Sequence, residues 1–119
     1  MHESGVARAI WQAVDEVRAR QGLGRIHRVT IELGEFSGVE APLLRSAFED
    51  LVTERGDGTP ELVIDAAPLE ARCDACHHIF PVENFSFRCP QCQSVAVQII
   101  RGEELRLVSV NAERAEVRP

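Results

Sequence analysis

The chain contains no lysine; its 13 basic residues are all arginine, against 19 acidic ones, for a net charge of −6. A domain that grips nucleic acid through its phosphates is normally basic, so this balance weighs against nucleic acid as a partner. No apolar run of about 18 residues occurs, which excludes a transmembrane helix and leaves no expectation of a membrane partner. The N-terminus has no basic segment followed by an apolar one, so no export signal is expected. Cysteine is missing everywhere except between Cys73 and Cys92. There is no internal repeat and no low-complexity stretch. What remains is 119 residues with 45% apolar content, enough for one compact domain or one domain carrying a small second module.

The four cysteines form two C-x-x-C pairs, Cys73-Asp74-Ala75-Cys76 and Cys89-Pro90-Gln91-Cys92, around the spacer His77–Arg88. Two pairs at this separation can supply four thiolates to one tetrahedral Zn(II), with Zn–S distances of about 2.3 Å. A redox dithiol would need one pair at a strand-to-helix junction, and a catalytic zinc would keep an open coordination position; neither fits as well as a closed structural site. Pro90 suits a tight metal-binding turn. Reduced, metal-binding cysteines without an export signal point to the cytoplasm. For His77 and His78 two readings stand: solvent-facing residues at the start of the spacer, or groups that exchange with a thiolate or hydrogen-bond around the site. His27, at the start of a strand, reads as a structural or surface residue.

Hydrophobic periodicity places the rest. Val6, Ile10, Ala13, Val14 and Val17 recur at helical spacing, with Trp11 near the edge of the stripe, and predict a helix from about Gly5 to Gln21, capped by Ser4 and stopped by Gly22. Val29, Ile31 and Leu33 alternate with polar residues in a strand from Ile26 to Gly34. Pro42 opens a second helix along Leu44, Ala47, Phe48, Leu51 and Val52, ended by Gly56-Asp57-Gly58. Strands are predicted over Glu61–Ala67 and Val95–Ile100, with a continuation through Leu105, Leu107 and Ser109. The polar segment Asn111–Pro119 is expected to fray. The fold class is α+β: two helices packed on a small, about three-stranded sheet, with an inserted zinc-ribbon-like module. Its domains are residues 1–69 and 96–119, discontinuous, and a zinc-binding module over 70–95. The strands entering and leaving the insertion, Glu61–Ala67 and Val95–Ile100, are expected to lie antiparallel. From the knuckles alone, a zinc-ribbon module that binds protein or nucleic acid is the competing function.

Met1-His2-Glu3 brings a terminal amine, two backbone amides and an imidazole close enough to gather around one ion. Ni(II) and Cu(II) favour such nitrogen-rich, square-planar sets. Binding needs neutral histidine, so affinity should fall as pH drops through about 6.5. On composition alone, a histidine at position 2 is unremarkable.

In order and spacing, several segments together resemble the HypA/HybF family of hydrogenase nickel-incorporation proteins, which are nickel metallochaperones. They are Met1-His2-Glu3, Ile31-Glu32-Leu33-Gly34-Glu35-Phe36-Ser37-Gly38-Val39-Glu40, Ser46-Ala47-Phe48, the two cysteine pairs, and Gly102-Glu103-Glu104-Leu105-Arg106-Leu107. The chain departs from the family's usual pattern at Gly5 and Glu103. The resemblance implies that His2 is the essential nickel ligand, assisted by the N-terminal backbone and Glu3, and that Cys73, Cys76, Cys89 and Cys92 hold structural zinc. Glu40 stands where some relatives carry an acidic residue near the nickel. Ni(II) would be transferred cargo and not a catalytic cofactor, so no enzyme is implied. The implied partners are a nickel-handling maturation GTPase, HypB-like, and the hydrogenase large subunit, served by a monomer or weak homodimer.

Overall fold

The structure, a computed structural model, describes residues 3–119. The chain divides into two compact units: Met1–Glu32, Gly38–Asp65 and Arg106–Pro119 form the first, and Leu33–Ser37 with Ala66–Leu105 the second.

The first unit opens with α1 (Glu3–Gln21), which buries Ala7, Ile10, Trp11, Val14 and Val17. The stripe is rotated from the expected one. Val6 and Ala13 are only half-buried, while Trp11 sits at the centre with no exposed surface. The reason is the partner helix α2 (Ala41–Arg55): Phe48 meets Trp11 edge-on, ring centroids 5.8 Å apart at 67°. A large ring with an aromatic partner takes the middle of an interface in preference to valine or alanine. Ser4 is not the cap, because the helix is already under way at Glu3. At the other end Leu23 N–H reaches back to the Arg18 carbonyl (3.0 Å), closing the helix around Gly22 as expected. In α2, proline occupies the first turn, and Gly56 ends the helix in the left-handed region at φ 71°. There Asp57 N–H bonds to the Val52 carbonyl at 3.1 Å, a conformation that glycine adopts without steric cost.

Strands β1 (Ile26–Gly34), β2 (Glu61–Ala67), β6 (Leu105–Ala112) and β7 (Ala115–Val117) form a sheet in the order β2-β1-β6-β7. Val29, Ile31 and Leu33 of β1 are buried, as their alternation predicts. The sheet has one strand more than about three. Strand β7 lies in the stretch expected to fray: β6 runs on through Ala112, turns at Glu113-Arg114, and pairs Val110 with Val117 and Ala112 with Ala115. Val110 and Ala112 are buried, which gives this polar tail an apolar face to hold it.

The second unit holds β3 (Glu70–Cys73), β4 (Ile79–Pro81) and β5 (Val97–Arg101) in the order β4-β3-β5, all antiparallel. The strand entering the cysteine module is therefore β3, not β2, and it is β3 that pairs with the departing β5. Pattern reading passed over β3 because four residues with two charges carry too short an alternation to register. Leu69, Ala71, Cys73, Phe80, Val82 and Cys89 make its small core.

Three separated segments of sequence meet in this unit. Gly34 N–H donates to the Glu104 carbonyl (2.9 Å), Phe36 N–H to the Gly102 carbonyl (2.7 Å) and Glu35 N–H to the Ala67 carbonyl (2.9 Å). The Glu35 carboxylate accepts from Leu69 N–H at 3.3 Å. Gly102 sits at φ 101°, and a Cβ there would come within 2.6 Å of Leu69 Cα. Only glycine fits so close an approach of backbone to backbone.

Candidate metal centre

The module is built from two copies of one turn. In the first, Cys73 N–H donates to the His78 carbonyl and His77 N–H to the Cys73 carbonyl, both at 2.9 Å. In the second, Cys89 N–H donates to the Ser94 carbonyl and Gln93 N–H to the Cys89 carbonyl, again both at 2.9 Å. The residue after each pair is left-handed, His77 at φ 66° and Gln93 at φ 67°. Each loop folds its two thiols onto the same side and aims backbone N–H groups at the sulfurs. Gln91 N–H, for example, points to Cys89 Sγ at 3.4 Å. Pro90 has no N–H of its own, so no donor is wasted at the tightest point.

The loops bring all four sulfurs within 4.8 Å of one another. Cys73 and Cys92 Sγ lie 3.5 Å apart, and Cys76 and Cys89 Sγ 3.6 Å. A tetrahedral ion with Zn–S bonds of about 2.3 Å requires sulfur-to-sulfur edges of about 3.8 Å. None of the four is in a disulfide. The donor set and spacing fit one soft, four-coordinate ion and leave no ligand position open for a substrate.

The thiols do not shift together. The backbone N–H of Cys76 pulls the Cys73 thiol down to about 7, against the opposing effect of burial. For Cys92 the amide of Ser94 pulls downward, but the Cys73 sulfur, burial and the other two sulfurs outweigh it and push the thiol up to about 12. Cys76 is likewise raised: the His78 amide favours its thiolate, while burial and the Cys89 sulfur oppose it more strongly. The Cys73 thiolate is thus favoured while Cys76 and Cys92 are held toward the protonated form. A divalent ion among them reverses that preference.

Among the described residues this is the cluster of cysteine, histidine and carboxylate groups close enough to hold a metal. His77 is exposed, and half-buried His78 stacks on Phe80 (6.2 Å, 15°), so neither joins the four sulfurs. His27 is exposed on β1. His2 lies outside the described residues. Glu3 is in the first turn of α1, and its carboxylate accepts from Glu40 N–H at 3.4 Å, so positions 3 and 40 meet across 37 residues of sequence. Glu40 itself precedes α2 without capping it by its side chain. The Glu35 clamp on Leu69 was not anticipated from sequence; the Gly-Glu-Phe stretch identified the loop but not what it holds. No helix among the described residues is long and apolar enough to cross a membrane.

Residues 1–112 match the family model for hydrogenase/urease nickel incorporation, the metallochaperone HypA. The hydrogenase maturation factor HypA of Chlorobaculum parvum is 33% identical over 95% of this chain and all of its own length. That of Acidithiobacillus ferrooxidans is 36% identical over the same shares. The solution structure of the Ni metallochaperone HypA from Helicobacter pylori superposes with a TM-score of 0.71 at 30% identity, covering 94% of this chain and 97% of that one. These relatives are maturation factors and metallochaperones, not enzymes. By a match that runs from the first residue through the four cysteines and into the last long strand, the chain belongs to the HypA family.

Proposed function

We propose that the protein binds Ni(II) at its N-terminus and delivers it during maturation of [NiFe]-hydrogenase, while Cys73, Cys76, Cys89 and Cys92 hold a structural Zn(II). The observation that carries this reading is the family match from residue 1 onward, which takes in Met1-His2-Glu3. The His2 imidazole, the terminal amine and the adjoining backbone amides supply the nickel ligands, with the Glu3 carboxylate assisting. The Glu3–Glu40 contact supports this arrangement, because it holds a second carboxylate-bearing residue beside the start of α1. Nickel binding is assigned to residues 1–69 and 96–119 and zinc binding to residues 70–95; these functional spans differ from the compact units, the second of which also takes in residues 33–37, 66–69 and 96–105.

Delivery needs a site that is selective yet gives up its ion. Ligands at a chain terminus can be displaced one at a time by an incoming donor, so the barrier to transfer is divided into small steps. The zinc site is the opposite: four thiolates close the shell and keep the ion. The recipients are a nickel-handling maturation GTPase and the hydrogenase large subunit, met in the cytoplasm by a monomer or weak homodimer. The net charge of −6 favours encounter with basic faces on such partners and acts more on the association rate than on affinity.

Replacing His2→Ala should abolish nickel binding in calorimetry while zinc stays near one ion per chain. Unchanged nickel affinity in that variant would rule out His2 as the ligand. Placing one extra residue before Met1 should also weaken binding, and equal affinity would remove the amine from the ligand set.

A further inference from the structure

The turn Glu83–Ser86 in the second unit is built against local preference. Ser86 N–H bonds to the Glu83 carbonyl at 3.0 Å, and both central residues are left-handed, Asn84 at φ 51° and Phe85 at φ 58°. This is a type I′ turn, whose second central position is ordinarily glycine. A bulky aromatic residue there is a steric outlier. Such strain is usually repaid by burial, yet Phe85 keeps 72% of its surface exposed. Its ring lies 5.4 Å from that of Phe36, itself 44% exposed, at 48°. Phe36 N–H bonds to the Gly102 carbonyl, and the two rings form one exposed apolar step. Strain together with exposure at one residue points to function more than to stability.

Acidic residues flank the backbone that carries the step. Glu83 opens the turn that carries Phe85, and Glu103 and Glu104 follow the Gly102 carbonyl that accepts from Phe36 N–H; all three are exposed. Two arginines of the unit are engaged elsewhere: Arg88 donates to the Gln93 carbonyl and Arg101 pairs with Glu70. Aromatic faces rimmed by carboxylates attract guanidinium groups, which stack on the rings while pairing with the acids. The same charges repel nucleic acid and anionic lipid.

We infer that Phe36 and Phe85 form a docking surface for an arginine-bearing, otherwise apolar segment of a partner protein. This inference does not depend on the nickel reading. Phe85 acts as the anchor, Phe36 supports it from behind, and the carboxylates of Glu83 and Glu103 select for positive charge.

The test uses the full-length, zinc-loaded protein, isotopically labelled, and an amidated peptide of alternating arginine and leucine. Titration should shift the backbone amide signals around Phe36 and Phe85. Phe85→Gly relieves the turn, so its melting temperature should stay level or rise while peptide affinity falls at least tenfold. Glu83→Gln with Glu103→Gln should weaken binding and flatten its salt dependence. A glutamate–leucine peptide should not bind. A marked drop in melting temperature for Phe85→Gly would make the ring structural and overturn the inference. So would unchanged affinity in that variant, shifts confined to other surfaces, equal binding of the acidic peptide, or the same shifts produced by phosphatidylserine vesicles.

Discussion

The two units hold themselves together by different means. The first buries large side chains: Trp11, Phe48, Ile31, Leu44, Val14, Val29, Val52 and Val110 are all but fully enclosed. Each such residue contributes roughly 1.5–3 kcal/mol by leaving water. The second has a core of six buried residues, two of which are the metal-ligand candidates Cys73 and Cys89. So small a core rarely supplies more than a few kcal/mol, and small modules commonly add a metal for that reason. The contrast is between a unit that packs large side chains and one whose small core is built around four candidate metal ligands.

Breaking the metal site should have the largest effect. Removing zinc with a chelator under reducing conditions, or replacing Cys89→Ser, should forfeit on the order of 10 kcal/mol of binding free energy. Hydrogen exchange would then show protection lost across Glu70–Arg101 and kept in α1 and α2. Persistence of protection in β3 and β5 without metal would break the comparison. Reloading should release about two or more protons per ion near neutral pH, because the raised Cys76 and Cys92 thiols must give theirs up. Acid therefore favours the metal-free state: zinc retention should fall as pH drops, not as it rises.

The converse experiment is Phe48→Ala, which leaves Trp11 facing a void and should cost about 3–5 kcal/mol. Chemical denaturation should register that loss in the first unit, while zinc content stays unchanged. Gly102→Ala is smaller: the added methyl meets Leu69 backbone in a left-handed conformation, for about 1–3 kcal/mol. A melting temperature equal to the parent's would show that the close approach of Gly102 to Leu69 can relax. Smallest of all is the Arg28–Glu61 pair, 2.7 Å apart but with side chains 53% and 58% exposed. Arg28→Ala should change stability by less than about 1 kcal/mol, and less again in high salt.

Both helices were legible because each carries an apolar stripe long enough to count and a stop signal at Gly22 or Gly56. Strands β1 and β2 were legible through two-residue alternation. Strands β3, β4 and β7 were not, since three or four residues cannot display a period; their pairing partners define them. Trp11 was placed at the edge of its helix and lies at the centre, because the position of Phe48 on another helix decides which face is deepest. The Glu3–Glu40 contact and the Phe36–Phe85 step join positions far apart in sequence, where no local pattern could have signalled them.

What the sequence determined by itself is the chemistry of the zinc-type site: four thiols in two pairs, with a spacing that allows one tetrahedral ion. Ligand type and number are fixed by the residues alone. Whether the four sulfurs converge was for the tertiary structure to decide, through two matching left-handed turns and the β3–β5 pairing that brings one knuckle to the other. Ligand identity is a property of residues, whereas convergence is a property of the backbone hydrogen bonds between them.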